Sequence, residues 1–256
     1  MLNSLELPFR FNPERLAGDL ARIQPSDWVR HFNTQEFEGD WSVAPLRSVD
    51  GKAKQIYPDP VAGTERFADT PLLAACTYFQ EVIAAFHCPK QSVRLLRLGA
   101  GSRIREHRDY CLGFDDDELR IHIPVQTNPQ VEFYSAGERI VMREGETWYI
   151  NFNLPHRIYN GGITDRIHLV IDCEVNDWVR SVFYARNFEQ FREKVLDEPS
   201  LQKELRDAPD RAALIPLLLE HGRRSGFTFR ASEVEAALDA ARQDWVAGNM
   251  VENMVL

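Results

Sequence analysis

Leu119-Arg120-Ile121-His122-Ile123 alternates apolar and basic side chains without interruption, and an extended strand sends alternate residues to opposite faces of a sheet. Arg120 and His122 therefore share one face, and Leu119, Ile121 and Ile123 the other. An arginine and a histidine turned into a protein interior need a partner or a ligand. Outward from this segment the same period of two recurs in short pieces parted by turn residues, at 93–98, 103–106, 131–134, 139–142, 147–152, 157–159 and 166–172. With 119–125 these predict eight short strands over roughly 80 residues, the pattern of a small barrel or a two-sheet jelly roll.

The flanks read differently. Asn12-Pro13 is an N-cap followed by a first helical residue, with Leu16, Leu20 and Ile23 as the apolar stripe. Residues 71–87 carry a wider stripe that includes Leu73, Phe79, Val82 and Phe86 and predict one amphipathic helix lying on the sheet. Between them come a strand at 41–46, a turn at Asp50-Gly51 and a loop at Tyr57-Pro58-Asp59-Pro60. After Trp178 the chain turns helical, with stripes around Phe188, Phe191 and Val195, then at 201–205, 214–219 and 232–245. The expected organisation is a β domain with N-terminal helices over 1–180 and a small all-α domain over 181–256.

Composition narrows the function. Thirty basic against 39 acidic side chains give a net charge of −9, which argues against nucleic acid or an anionic membrane as partner. No stretch approaches the roughly 20 apolar residues that span a bilayer, and Glu6 interrupts the start where a secretory signal needs a basic and then an apolar run. A cytoplasmic protein is expected. Cys76, Cys88, Cys111 and Cys173 lie far apart without a C-x-x-C pair, so reduced, half-buried thiols are expected rather than a zinc knuckle or a redox pair.

Chemistry concentrates in Arg105-Glu106-His107-Arg108-Asp109-Tyr110. On an extended strand His107 and Asp109 point to the same side. His156, in Asn153-Leu154-Pro155-His156-Arg157 at a turn between two predicted strands, is the candidate third ligand. Two histidines and one carboxylate form a facial triad with open positions on non-haem Fe(II), although zinc accepts the same donors. Arg166 opens the apolar strand Arg166-Ile167-His168-Leu169-Val170-Ile171-Asp172. A guanidinium there needs a carboxylate, either that of a dicarboxylate ligand or that of Asp165 or Asp172 in a structural ion pair.

Taken in order, His107-Arg108-Asp109, Leu119-Arg120-Ile121-His122, Arg143-Glu144-Gly145-Glu146-Thr147-Trp148, Pro155-His156 and Arg166 to Asp172 resemble the aspartyl/asparaginyl β-hydroxylase family, which includes bacterial proline hydroxylases. The resemblance covers residues 41–172 and implies a double-stranded β-helix, a cupin-like jelly roll, working with Fe(II), 2-oxoglutarate and O2. It implies His107, Asp109 and His156 as iron ligands, Arg166 on the distal carboxylate of 2-oxoglutarate, and Arg120 with His122 near the cosubstrate at the metal. The animal asparaginyl enzymes carry a glycine where this chain has Asp109, which brings it nearer the proline hydroxylases; in those the position of His122 is not a histidine. Arg97, Arg103, Arg105 and Tyr110 are the candidates for orienting a substrate.

A second resemblance lies in the tail. Phe188-Glu189-Gln190-Phe191, Asp197-Glu198-Pro199-Ser200-Leu201 and Gly226-Phe227-Thr228-Phe229 resemble the Nif11-type leader domain of ribosomal peptide natural products. That implies a peptide or protein docking module, yet no double-Gly site and Cys-rich core precede the final Asn253-Met254-Val255-Leu256. A helical lid or a homodimer element is the other reading of these residues. The expected activity is hydroxylation of an amino acid, free, within a peptide or carrier-bound. A non-catalytic scaffold is the alternative, and a cupin of another reaction class is disfavoured because cupins prefer H-x-H with a downstream Glu.

Overall fold

The computed structural model describes residues 2–57 and 66–246, leaving aside the side chains of 244–246. Pro58, Asp59 and Pro60 of the expected loop lie outside the described residues. In chain order the elements are β1 (Ser4–Arg10), α1 (Pro13–Leu20), β2 (Val29–Arg30), β3 (Phe37–Glu38), β4 (Trp41–Val49), β5 (Phe67–Asp69), α2 (Pro71–Ala74) and α3 (Thr77–Ala84). There follow β6 (Lys90–Leu98), β7 (Arg103–His107), β8 (Glu118–Gln126), β9 (Val131–Ser135), β10 (Glu138–Ile140), β11 (Glu146–Ile150), β12 (His156–Asn160) and β13 (Arg166–Glu174). The helices α4 (Asp177–Asp197), α5 (Pro199–Arg206), α6 (Arg211–Arg224) and α7 (Ala231–Val246) complete the described residues. Two compact units result, with the boundary after Val179.

The first unit is a double-stranded β-helix. One antiparallel sheet runs β1-β11-β8-β13-β6-β4-β2 with β5 beside β4, and the other runs β10-β9-β12-β7-β3. Side chains of both sheets meet in one apolar cluster that includes Trp41, Leu98, Ile104, Phe133, Ile150 and Ile158. Register decides what else points inward. Asp172 of β13 pairs with Arg120 of β8, and His156 of β12 pairs with His107 of β7. The inward face of the fold thus receives two ranks of polar groups, one from each sheet.

The opposite face of the large sheet is covered by helices, with α1 on β8 and α2 on β4. Asn12 caps α1 by accepting from the Arg15 N–H at 3.0 Å, with Pro13 in the first turn. The single helix expected over 71–87 is instead two. Asp19, at the end of α1, accepts the backbone N–H groups of Tyr78 and Phe79 at 2.7 and 2.8 Å, so a new helix start is capped there and α2 stops short of α3. Strand β1 was not expected either: Pro8 and the short span hide its alternation, and it is pairing with β11 that makes it a strand.

The second unit has its own core, with Phe188, Phe191, Leu205, Leu218 and Phe229 among its buried residues. Asp210 caps α6 through Ala213 N–H at 2.8 Å. Gly222 is required where it stands, since a Cβ there would fall 2.4 Å from the Phe229 ring. Among the described residues no helix is long and apolar enough to cross a membrane.

Candidate metal centre

β7 ends at His107, and the chain then bends so that Asp109 N–H donates to the Phe152 carbonyl at 3.0 Å. Asp109 therefore lies past the strand and not on it, yet still converges. His156 begins β12 directly opposite His107, the two rings 4.2 Å apart between centroids. Ligand atoms of His107, Asp109 and His156 all lie within 4.8 Å of one another.

Hydrogen bonds select the atoms on offer. Nδ1 of His107 faces the Arg105 carbonyl at 2.8 Å, and Nδ1 of His156 faces the Leu154 carbonyl at 3.0 Å. A carbonyl only accepts, so each Nδ1 carries the proton and each Nε2 keeps a lone pair for a metal. Burial, reinforced by the His107 ring, pushes the His156 pKa down to about 4, so this ring is neutral at pH 7. Burial alone would raise the Asp109 pKa, but Arg120, followed by His156, His107 and Arg94, outweighs it and holds the carboxyl below its usual range. Two imidazoles offering Nε2 and one carboxylate are the donor set of non-haem iron sites.

Behind the triad Arg120 joins two carboxylates. Its Nη1 donates to Asp109 Oδ2 at 2.6 Å, and its Nε and Nη2 donate to Asp172 at 2.6 and 3.2 Å. Arg94 Nη2 adds a further contact to Asp172 Oδ2 at 2.9 Å. A cavity of about 850 Å³ opens over these groups and is lined by His107, Asp109, Arg120, His122, His156 and Arg166, among others.

Arg166 is 1% exposed. Its Nη2 donates to His168 Nδ1 at 2.9 Å, and its Nε has no partner among the described residues. Burial drives its pKa down to about 9, which still leaves it charged at pH 7. The ion pair with Asp172 that the sequence left open does not form, because Arg94 and Arg120 take that carboxylate. Nor, among the described residues, does Arg166 meet Asp165, whose carbonyl binds Gln126 instead. A buried guanidinium with no carboxylate partner among the described residues, beside His122 Nε2, which also lacks a partner there, suits a small anion that also carries a donor or brings water.

A family model described as aspartyl/asparaginyl β-hydroxylase matches residues 14–175, more than half of the chain. The chain belongs to that family. Among curated proteins it is 29% identical over 184 residues to an L-proline cis-4-hydroxylase of Rhizobium meliloti (strain 1021), a match covering 71% of this chain and 63% of that relative's length. Among solved structures, a 2OG-Fe(II) oxygenase family oxidoreductase from Burkholderia pseudomallei is 15% identical with a TM-score of 0.42, covering 64% of this chain and 79% of the other. A non-heme alpha-ketoglutarate-dependent epimerase from nogalamycin biosynthesis is 9% identical with a TM-score of 0.46, covering 67% and 78%.

In this β-hydroxylase-family chain the other candidates are scattered. Tyr110 stands at the cavity mouth, 83% exposed. Arg97 is not brought to the cavity: it stacks on Trp28 and bonds Ser42 and Asp40, because on β6 it alternates away from Arg94, which does line the cavity. Arg103 and Arg105 also lie elsewhere, each paired with Glu38 on the outer side of the small sheet. Sequence reading passed over Arg94 and gave Asp172 only a structural role. Their signal was register: Arg94 precedes the apolar Leu96 and Leu98 on one face of β6, and that strand lies beside β13.

Proposed function

We propose that this chain is an Fe(II)- and 2-oxoglutarate-dependent hydroxylase of an amino acid, free, within a peptide or carrier-bound. What carries the reading is Arg166, a buried guanidinium with no carboxylate partner among the described residues, sharing one cavity with a His-Asp-His cluster. In this reading Nε2 of His107, Nε2 of His156 and one oxygen of Asp109 hold the iron, and Arg166 binds the far carboxylate of 2-oxoglutarate. When bound, iron with 2-oxoglutarate and O2 supplies oxidation of an unactivated C–H bond, giving the alcohol, succinate and CO2. His168 aligns Arg166 by accepting from its Nη2, and its own proton-binding tendency is suppressed by burial and by Arg166, so it stays an acceptor. His122, likewise held neutral by burial and the nearby cations, presents Nε2 to the ligand.

The relative's printed activity and the family membership support amino-acid hydroxylation, and we extend the proposal to residues 1–180 as the oxygenase domain and 181–256 as a separate docking or lid domain. Mixing the protein anaerobically with Fe(II) and 2-oxoglutarate is expected to give the weak visible charge-transfer band of the chelate. Loss of the Arg166 side chain in Arg166→Ala should weaken 2-oxoglutarate binding by roughly two orders of magnitude while Fe(II) still binds. A wild-type protein that binds Fe(II) but gives no band, or an Arg166→Ala protein with unchanged cosubstrate affinity, would sink the assignment.

A further inference from the structure

Asp172 does not touch the triad, yet a single residue, Arg120, separates it from Asp109. It is 3% exposed in the middle of the large sheet, opposite Arg120 across the β8–β13 ladder. Four charged groups run in file, Asp109, Arg120, Asp172 and Arg94, with two of each sign. Arg94 is held at its other end by Ser92 Oγ, 2.6 Å from Nη1.

The geometry of Arg120 shows what Asp172 does. A guanidinium facing a single carboxylate tends to grip it with two parallel N–H bonds, which covers both oxygens. Here the Nε–Nη2 edge is filled by Asp172, at 2.6 and 3.2 Å. Only Nη1 is left to reach Asp109, and it takes Oδ2 alone. Oδ1 is the oxygen nearer His107, 3.9 Å from Nε2. The two oxygens of Asp109 are thus divided, one to the arginine and one to the triad.

We propose that Asp172 is a positioning residue of the metal centre: by occupying one edge of Arg120 it limits that guanidinium to a single oxygen of Asp109 and keeps the other oxygen for the metal. Arg94 completes the device by balancing the buried carboxylate, so that Asp172 stays ionised with two cations against it. The inference rests on the reading of His107, Asp109 and His156 as ligands. Its logic is that of outer partners in metal sites generally, whose loss costs roughly 10–100-fold in metal affinity.

Co(II), which reports its coordination through d–d absorption, is the probe. Asp172→Asn is expected to weaken Co(II) binding by roughly 10–100-fold and to change the d–d band, because Arg120 turns its freed edge onto Asp109. That variant leaves two buried guanidinium groups against one carboxylate and can fail to fold, so Arg94→Met/Asp172→Asn, which removes one charge of each sign, is measured beside it. The charge-balanced variant should show the same weakened binding and altered band, since a structural ion pair would move its melting temperature and leave the metal signals alone. Wild-type Co(II) affinity and spectrum in the folded double variant would overturn the proposal. A wild-type protein that takes up no Co(II) would overturn the ligand assignment beneath it instead.

Discussion

The proton on Nδ1 of His156 sits against the Leu154 carbonyl, and this one contact leaves Nε2 with the lone pair that the proposed metal centre needs. Replacing it should therefore be felt first in metal uptake: His156→Ala is expected to lose metal affinity by more than the roughly 10–100-fold that an outer partner costs. Titration of the variant with Co(II) checks this, and near-normal affinity would remove His156 from the site. At this scale the sequence was most legible where chemistry and period coincided. The H-x-D spacing stands out as an i, i+2 pair, His156 as a histidine at a turn and Arg166 as a charge on an apolar strand, and all four side chains line one cavity. Arg97 misled because adjacency in sequence says nothing of face, and three positions from Arg94 is an odd step on a strand. The tautomers and the division of the Asp109 oxygens depend on backbone carbonyls and on a residue more than 60 positions away, which no local pattern encodes.

At the scale of elements, the central strands were legible because both faces of each are buried or half-buried and turn residues bound them. The edge strand β1 and the break between α2 and α3 were not, because tertiary partners create both. Asp19 illustrates the second case. Its carboxylate serves two N–H groups of a helix that begins nearly 60 residues later, and it is 4% exposed. Asp19→Ala should lower stability by about 1–2 kcal/mol, the cost of a lost cap in a buried setting, measured as a shift in the urea midpoint with an unchanged slope. An unaltered midpoint would show that the break in the helix has another cause.

Across the whole molecule the net −9 charge coexists with a cavity that gathers Arg94, Arg120 and Arg166. Its histidines make the fold sensitive to acid. His31 and His156 are pushed down to about 4, chiefly by burial, and His122 and His168 are lowered well below their usual value, again chiefly by burial. Between about pH 6.5 and those lowered values the unfolded chain binds more protons than the folded one, so stability falls as pH falls, by up to about 1.4 kcal/mol per pH unit for each ring. The metal-free protein should melt at progressively lower temperature from pH 7.5 to pH 5, and a flat profile would contradict the burial of these rings. Arg166 carries a further implication. Its charge is buried with no counter-ion among the described residues, so an anion that binds there satisfies the fold as well as the site. Under the proposed assignment, heat resistance of this protein rises with the supply of slim diacids around it. Melting curves become a way to find what it recognises before any product is known.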